Sequence, residues 1–352
     1  MKEAIVAKGP KVTIHDVPIP KPGPSQVLIK VIYSGSNPKD WKRPQHGEPH
    51  NSGDDIAGII EAVGDGVFEF KKGDRVAAFH EMTTPHGSFA EYAIAWDYTT
   101  FPLPDKTSFE EGASIPLAAM TAAVGLYLRL GLPEPWNPTT TSIPLIVYGA
   151  SSAVGAYAIK LARLSNIHPI IAISGRGEAF VETLIDRKKG DAIVDYRKGD
   201  SAVVTGIQEA LKNAGAKDVY YAFDAVSEHN SFQNISQVLS KQNSKITLVL
   251  PGKDYSAIPD YIKKSTTTVG SIHINPSESK AKAGIVTGGK EFGYVYFRLF
   301  SRGLQQGWFS GHPHEVVPGG LNGIEKALSN LKDGVNSATK YVFKIEDTQS
   351  KL

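Results

Sequence analysis

Cysteine is absent from all 352 residues. Disulfides are therefore excluded, and so is every thiolate-held zinc or iron–sulfur centre. A surplus of either charge is missing too, since 38 Lys and Arg stand against 36 Asp and Glu, a net charge of +2. An electrostatic binder of nucleic acid or of a membrane surface needs a clustered basic excess, so neither partner is expected. Long apolar runs are also lacking. The longest uncharged stretch of interest, between Glu111 and Arg129, is interrupted by Pro116 and Gly125 and is short for a membrane span. The N-terminus is charged at Lys2, Glu3 and Lys8 and has no signal-peptide core. None of the ten histidines falls in a His-x-x-His or His-Glu-x-x-His pattern, and no metal ligand set is read. What remains is 41% hydrophobic and 21% charged, a soluble globular composition long enough for two domains.

The pattern along the chain changes twice. Runs at Ala4–Ala7, Val12–Val17, Val27–Tyr33, Ile56–Val63, Arg75–Phe79 and Phe89–Ala95 are apolar or β-branched and separated by Pro/Gly turns, which predicts a small barrel or sandwich. Ser108 and Glu111 then form a capping-box pattern ahead of a helical stretch, Leu117–Leu130. Strands are predicted at Ile143–Tyr148, Pro169–Ser174, Ala192–Asp195, Val219–Asp224, Ile246–Leu250 and Thr267–Gly270. Helical stretches such as Val154–Leu164 and Ala202–Asn213 lie between them. That alternation specifies an α/β fold with a doubly wound parallel sheet. After Asn275, Phe292, Val295, Tyr296, Leu299, Phe300 and Leu304 recur at helical spacing, and a strand at Tyr341–Ile345 closes the chain. The nucleotide-binding domain is thus expected over residues 122–274, inserted into a domain built from 1–121 and 275–352.

The most informative segment runs from Pro144 to Gly155, where an apolar strand enters a turn of small residues and then a helix. A dinucleotide pyrophosphate fits there, on the N–H groups and positive end of the helix. Against G-x-G-x-x-G, the register places Ala150, Ser152 and Gly155, with only the helix-packing glycine retained. Ala150, Ser151, Ser152, Ala153, Val154 and Gly155 are the candidate phosphate-binding residues. At the end of the second strand an NAD site usually presents Asp or Glu to the ribose hydroxyls. This chain has Ser174-Gly175-Arg176 there. A hydroxyl and a guanidinium suit a 2′-phosphate, which points to NADPH. Arg176 alone could be a solvated loop charge, and Glu178 would repel phosphate if it faced the site, so the missing acid carries the assignment.

The chain ends in Ser350-Lys351-Leu352. This tripeptide is read by the peroxisomal import receptor in a eukaryotic cell and means nothing in a bacterial one. A peroxisomal location is expected on that basis, and a cytoplasmic one otherwise.

Gly58-Ile59-Ile60-Glu61-Ala62-Val63-Gly64 and Phe70-Lys71-Lys72-Gly73-Asp74-Arg75-Val76 resemble the signature of medium-chain dehydrogenases/reductases. Asn37-Pro38-Lys39-Asp40 and the Ala150–Gly155 turn resemble the zinc-free quinone reductase and enoyl reductase branch. Phe89-Ala90-Glu91-Tyr92 and Met120-Thr121-Ala122 fit it as well. The likeness covers nearly the whole chain and is strongest to fungal quinone oxidoreductases and trans-acting enoyl reductases. It implies a GroES-like catalytic domain interrupted by a Rossmann domain. Where the family's alcohol dehydrogenases carry Gly-His-Glu, this chain has Gly53-Asp54-Asp55, and their ligand cysteine falls near Asn37. Without thiolate and imidazole, zinc-assisted alcohol oxidation is not expected.

The resemblance further implies that Asn37 and Thr121 lie beside the nicotinamide, with Leu250, Pro251 and Ile272 shaping its pocket. Tyr196, in Asp195-Tyr196-Arg197, and Lys188 become candidates for the adenosine 2′-phosphate, and Lys340 a weaker cofactor contact. Lys39, Asp40, Lys42 and His46 fall near the active cleft by motif position. A lysine can stabilise an enolate and a histidine can donate a proton, while exposed loop charge is the plain alternative for each. Thr121 could equally bond its own helical turn and Asn37 serve a turn. The implied activity is hydride transfer from NADPH to an enone, an enoyl thioester or a quinone, by a monomer or a homodimer. The alternatives are a protein that binds NADPH without turnover and an enzyme using the fold for a non-redox step.

Overall fold

A computed structural model describes residues 1–274 and 289–349. The tripeptide Ser350-Lys351-Leu352 and the expected domain junction at Asn275 lie outside the described residues. The described chain divides into two compact units, one of residues 1–120 with 272–274 and 289–349, the other of residues 121–271.

The second unit is built on six parallel strands among the described residues. In spatial order they are Ala192–Asp195, Ile170–Ser174, Leu145–Tyr148, Tyr221–Asp224, Lys245–Leu248 and Lys263–Thr266. The central strands Leu145–Tyr148 and Ile170–Ser174 are buried along their whole length, as expected where helices cover both faces of a parallel sheet. This explains their reading as unbroken apolar runs. The order reverses between Leu145–Tyr148 and Tyr221–Asp224, and such a switch point is where an open α/β sheet binds its ligand. The helices Ala153–Leu164, Asp200–Asn213 and Ser231–Val238 follow strands of this sheet, and the core on one side gathers Ile146, Ile171, Val203, Ile207, Phe232 and Ile246.

The first unit carries a predominantly antiparallel seven-stranded sheet among the described residues. The strand Gln26–Gly35 pairs with Asp55–Val63, Tyr92–Trp96 and the closing strand Lys340–Lys344. Arg75–Phe79 pairs with Asp55–Val63. Lys2–Ala7 and Lys11–Asp16 form a separate hairpin that buries Ala4 and Val6. The helix Gly289–Gln306 sets Tyr296, Phe297, Phe300 and Leu304 inward, with Phe297 stacked on Phe101 at 5.4 Å between ring centroids. Here Val295 is exposed, so the apolar spacing marks a wider face than the one buried.

Two expectations need correction, and a third is refined. The last strand of the parallel sheet is Lys263–Thr266, and the end of the expected strand Thr267–Gly270 runs into a 3₁₀ turn, Val269–His273. The sequence Lys-Lys-Ser-Thr sits at a sheet edge and pairs on one side, so it needs no apolar run. The expected helical stretch Leu117–Leu130 is helical, as an α-helix, Pro116–Ala123, continued by a π-helical segment, Val124–Arg129. The capping box is half made. Ser108 Oγ accepts from the Glu111 N–H at 3.3 Å, whereas the Glu111 carboxylate accepts from the Gly311 N–H at 2.8 Å.

Candidate active site

The C-terminal edge of the parallel sheet is assembled from the turns after its strands. The N–H groups of Gly149 and Ala150 both donate to Ile173 O, at 3.0 and 2.9 Å, which ties the turn to the neighbouring strand. Gly149 sits at φ +77°, in the left-handed region. Ser152 is the N-cap of Ala153–Leu164, its Oγ accepting from the Gly155 N–H at 3.1 Å while the hydroxyl proton remains to donate. A Cβ on Gly155 would lie 2.2 Å from Gly149 O, so only glycine lets this helix start against the strand end. Ala150, Ser151, Ser152, Ala153, Val154 and Gly155 thus form one small-residue cradle at the positive end of a twelve-residue helix.

At the next strand end, Ser174 is fully buried and its Oγ has no hydrogen-bond partner. Arg176 is exposed just beyond it. Tyr196 follows the adjacent strand, in which Asp195 pairs with Ser174. A Cβ on Gly175 would lie 2.6 Å from the Tyr196 ring, so the two strand ends meet through that ring. Asp195 is committed to Arg197 at 2.7 Å, and the Arg197 hydrogen bonds hold it at about 2, so it offers no free carboxylate to a ribose. An orphaned hydroxyl, a guanidinium and a phenol suit a dinucleotide bearing a 2′-phosphate. Leu250 and Pro251 follow Lys245–Leu248 on the same edge, where Leu250 O accepts from Tyr255 OH at 2.7 Å.

Lys188 is corrected out of this group. It stands in the 3₁₀ turn Arg187–Lys189, before its strand begins, on the side where Asp191 binds the Ile170 N–H. Ser174 closes its strand at the opposite edge, roughly 10 Å away along four strand residues.

Sequence reasoning also missed the second arm of the switch point. Asp224 ends the strand Tyr221–Asp224 fully buried. It accepts from the N–H groups of Val226 and Ser227 at 3.0 and 2.8 Å and from Ser231 Oγ at 2.6 Å. Burial pushes its carboxyl up to about 6 against those hydrogen bonds. The available signal was a lone acid closing an apolar strand before small residues.

In the first unit the Asn37–Lys42 motif opens onto a buried charge network. Asp55 Oδ2 lies 2.5 Å from Lys340 Nζ and accepts from Asn37 Nδ2 at 2.7 Å. Its Oδ1 accepts from the Leu117 N–H at 2.6 Å. Lys39 Nζ lies 2.6 Å from Asp40 Oδ1 and 2.5 Å from Asp54 Oδ2, and it also donates to Ser52 O. Asp40 Oδ2 accepts from the Asn37 N–H at 2.7 Å. Burial disfavours charge on Lys39, but Asp40 and Asp54 outweigh it and raise its pKa. Burial, opposed by Lys39 and helped by Asp54, pushes Asp40 up to about 7. Three carboxylates here face two ammonium groups, and Asp40 is the one that burial holds toward its protonated form. Lys42 is half-buried, its amine 5.5 Å from the centroid of the Trp41 ring. His46 is exposed. Ile272 and Thr121 are buried, in a 3₁₀ turn and in the helix Pro116–Ala123.

Residues 23–105 match the alcohol dehydrogenase GroES-like domain. The chain is 52% identical to the trans-enoyl reductase fsr4 of Gibberella fujikuroi over 328 residues, 92% of each protein. It belongs to the trans-enoyl reductase branch of the medium-chain dehydrogenases/reductases. A second relative, the trans-enoyl reductase resD of Aspergillus sclerotiorum, is 30% identical over 96% of this chain and 98% of its own. Among solved structures, the CurK enoyl reductase superposes with a TM-score of 0.73 at 16% identity, over 97% of this chain and 98% of that one. A putative zinc-dependent alcohol dehydrogenase from Rhizobium etli reaches 0.80 at 20% identity, over 100% and 99%. At such identity these two speak for the fold, GroES-like with a Rossmann sheet.

Membership makes this reductase an oxidoreductase with a nicotinamide cofactor, and the cradle and strand-end residues fit one. They do not fit the zinc of the alcohol dehydrogenases. Asp54 and Asp55 stand where the family's zinc enzymes carry histidine and glutamate, yet each already holds a lysine ammonium. Among the described residues, no group of three or more His, Cys, Asp or Glu is arranged to hold a metal ion.

The titration of Asp40 gives a prediction for the reductase. Its folded pKa of about 7 exceeds the ordinary 3.8, so the native state binds the extra proton in between and stability falls as pH rises from about 4 to 7. Asp40→Asn keeps an acceptor for the Asn37 N–H and should flatten that slope. Thermal unfolding of both proteins at pH 5 and pH 8 measures it, and equal slopes would refute the assignment.

Proposed function

We propose that this chain is a zinc-independent, NADPH-dependent reductase of carbon–carbon double bonds conjugated to a carbonyl. A 2-enoyl thioester leads enones and quinones as substrate class. The name trans-enoyl reductase borne by its relatives supports the class of bond. The observation that carries the reading is the lysine-filled carboxylate network. With Asp54 and Asp55 neutralised by Lys39 and Lys340, stabilising a developing oxyanion falls to N–H and ammonium donors.

When bound, NADPH supplies the hydride. The Ala150–Gly155 turn and the helix behind it bind the pyrophosphate, and Ser174, Arg176 and Tyr196 bind the 2′-phosphate. Asn37 and Thr121 orient the nicotinamide, while Leu250, Pro251 and Ile272 exclude water from it. Lys39 spends its charge on Asp40 and Asp54, so this cluster shapes the site. A lysine or N–H donor would meet the enolate oxygen, with the proton arriving from a side chain or water.

Purified protein supplied with NADPH and a panel of enoyl thioesters, enones and quinones should oxidise NADPH with at least one enoyl thioester. Oxidation with none defeats the proposal, and calorimetric NADPH binding without turnover would identify a non-catalytic binder instead. Arg176→Ala should weaken NADPH binding roughly 10- to 150-fold, the loss of one charge-assisted phosphate contact, and leave NADH binding nearly unchanged. An equal loss for both nucleotides would show that no 2′-phosphate is held there. We also propose that Ser350, Lys351 and Leu352 direct the protein to peroxisomes. A fluorescent reporter bearing this tail should enter them and, without Leu352, stay in the cytosol.

A further inference from the structure

One buried carboxylate is bonded to both elements that bear the residues assigned to the nicotinamide. Asp55 holds the Asn37 side chain through Oδ2 and the Leu117 N–H through Oδ1. Leu117 lies in the first turn of Pro116–Ala123, and Thr121 stands one turn further along the same helix. Lys340 Nζ also donates to Asn37 Oδ1 at 3.2 Å, so both ends of that amide are held and its orientation is fixed. We infer that Asp55 is a positioning residue for hydride transfer, setting the Asn37 amide and the first turn of the Thr121 helix relative to each other. The inference rests on the reductase reading and gives a role to the second acid of Gly53-Asp54-Asp55.

The chemistry requires a carboxylate at this position. Three donors converge on it: an ammonium, an amide N–H and a backbone N–H. An asparagine would turn its own NH₂ toward one of them, and a buried donor facing a donor is destabilising. The neighbouring backbone is shaped around the same pair. At Gly35 a Cβ would lie 3.1 Å from both Asp55 Cβ and Lys340 Cε, and 2.2 Å from Ala113 O. Glycine thus leaves the space that the ion pair fills.

The test uses full-length Asp55→Asn and the double variant Asp55→Asn/Lys340→Met, in which no unpaired charge is buried if the single variant fails to fold. Hydrogen exchange across residues 113–123, NADPH affinity by fluorescence titration, and kcat with its isotope effect from 4-deuterated NADPH are measured. In the folded variant, exchange at the Leu117 amide should quicken at least tenfold. NADPH affinity should stay within threefold, while kcat falls roughly 10- to 100-fold with a larger isotope effect. A kcat within twofold of the parent, or losses of kcat and NADPH affinity in equal proportion, would overturn the positioning role. If the parent protein itself reduces no substrate, the reductase reading fails, and unchanged exchange at Leu117 would separately overturn the claim that Asp55 holds that turn.

Discussion

Charge that leaves water must find a partner, and the first unit of this protein is organised around that rule. A buried ion loses several kcal/mol of hydration, which only close and well-directed partners offset. Asp55 is fully buried and Lys340 is 4% exposed, and they meet at 2.5 Å. Asp40 and Asp54 meet Lys39 in the same way. Each of these groups is worth keeping only while the others stay in place. The network therefore specifies one arrangement of Asn37, the Asp55–Val63 strand and the Pro116–Ala123 helix, at a cost that an apolar core would not carry.

The same arrangement bears on the chemistry of the family. In its alcohol dehydrogenase relatives a divalent metal polarises the substrate, and in this chain lysine ammonium groups neutralise the carboxylates at those positions. A lysine is a weaker and more diffuse source of positive potential than a metal ion. Reduction of a conjugated double bond asks less of such a site, since charge spreads toward the carbonyl oxygen as hydride arrives. In the second unit the buried acid at the ligand edge, Asp224, is met by backbone N–H groups and a serine hydroxyl rather than by a lysine. Gly149, Gly155 and the cap at Ser152 shape the turn and the start of the helix behind it without a buried ion pair.

Much of this was legible from residue order. The strands Arg75–Phe79 and Ala192–Asp195 coincide with their apolar runs, and the cradle at Ala150–Gly155 is visible as a strand, small turn and helix in succession. The edge strand Lys263–Thr266 was hidden because backbone pairing on one side suffices to hold charged residues there. Lys188 was misplaced because eight positions separate it from Tyr196, and a strand in between carries the two to opposite edges. The network itself left no local trace. Asp55 and Lys340 stand 285 positions apart, and nothing in composition or periodicity says that a given acid and a given lysine will meet. Conversely, the Gly53-Asp54-Asp55 sequence was plain, but only the geometry shows that Lys39 and Lys340 meet those two acids.

The great span of that pairing has a consequence for synthesis. Residues 121–271 are contiguous, so the described part of the second unit leaves the ribosome as one stretch, ahead of the chain that follows. The first unit does not. Its Asp55 emerges early and waits for a strand, Lys340–Lys344, that is translated near the end. Until then a carboxylate destined for the interior keeps its hydration, and the early β-strands are left without their last neighbour. Nascent chains stalled before Lys340 should therefore be recognised by chaperones and proteases as half-built, however sound the later-translated unit already is.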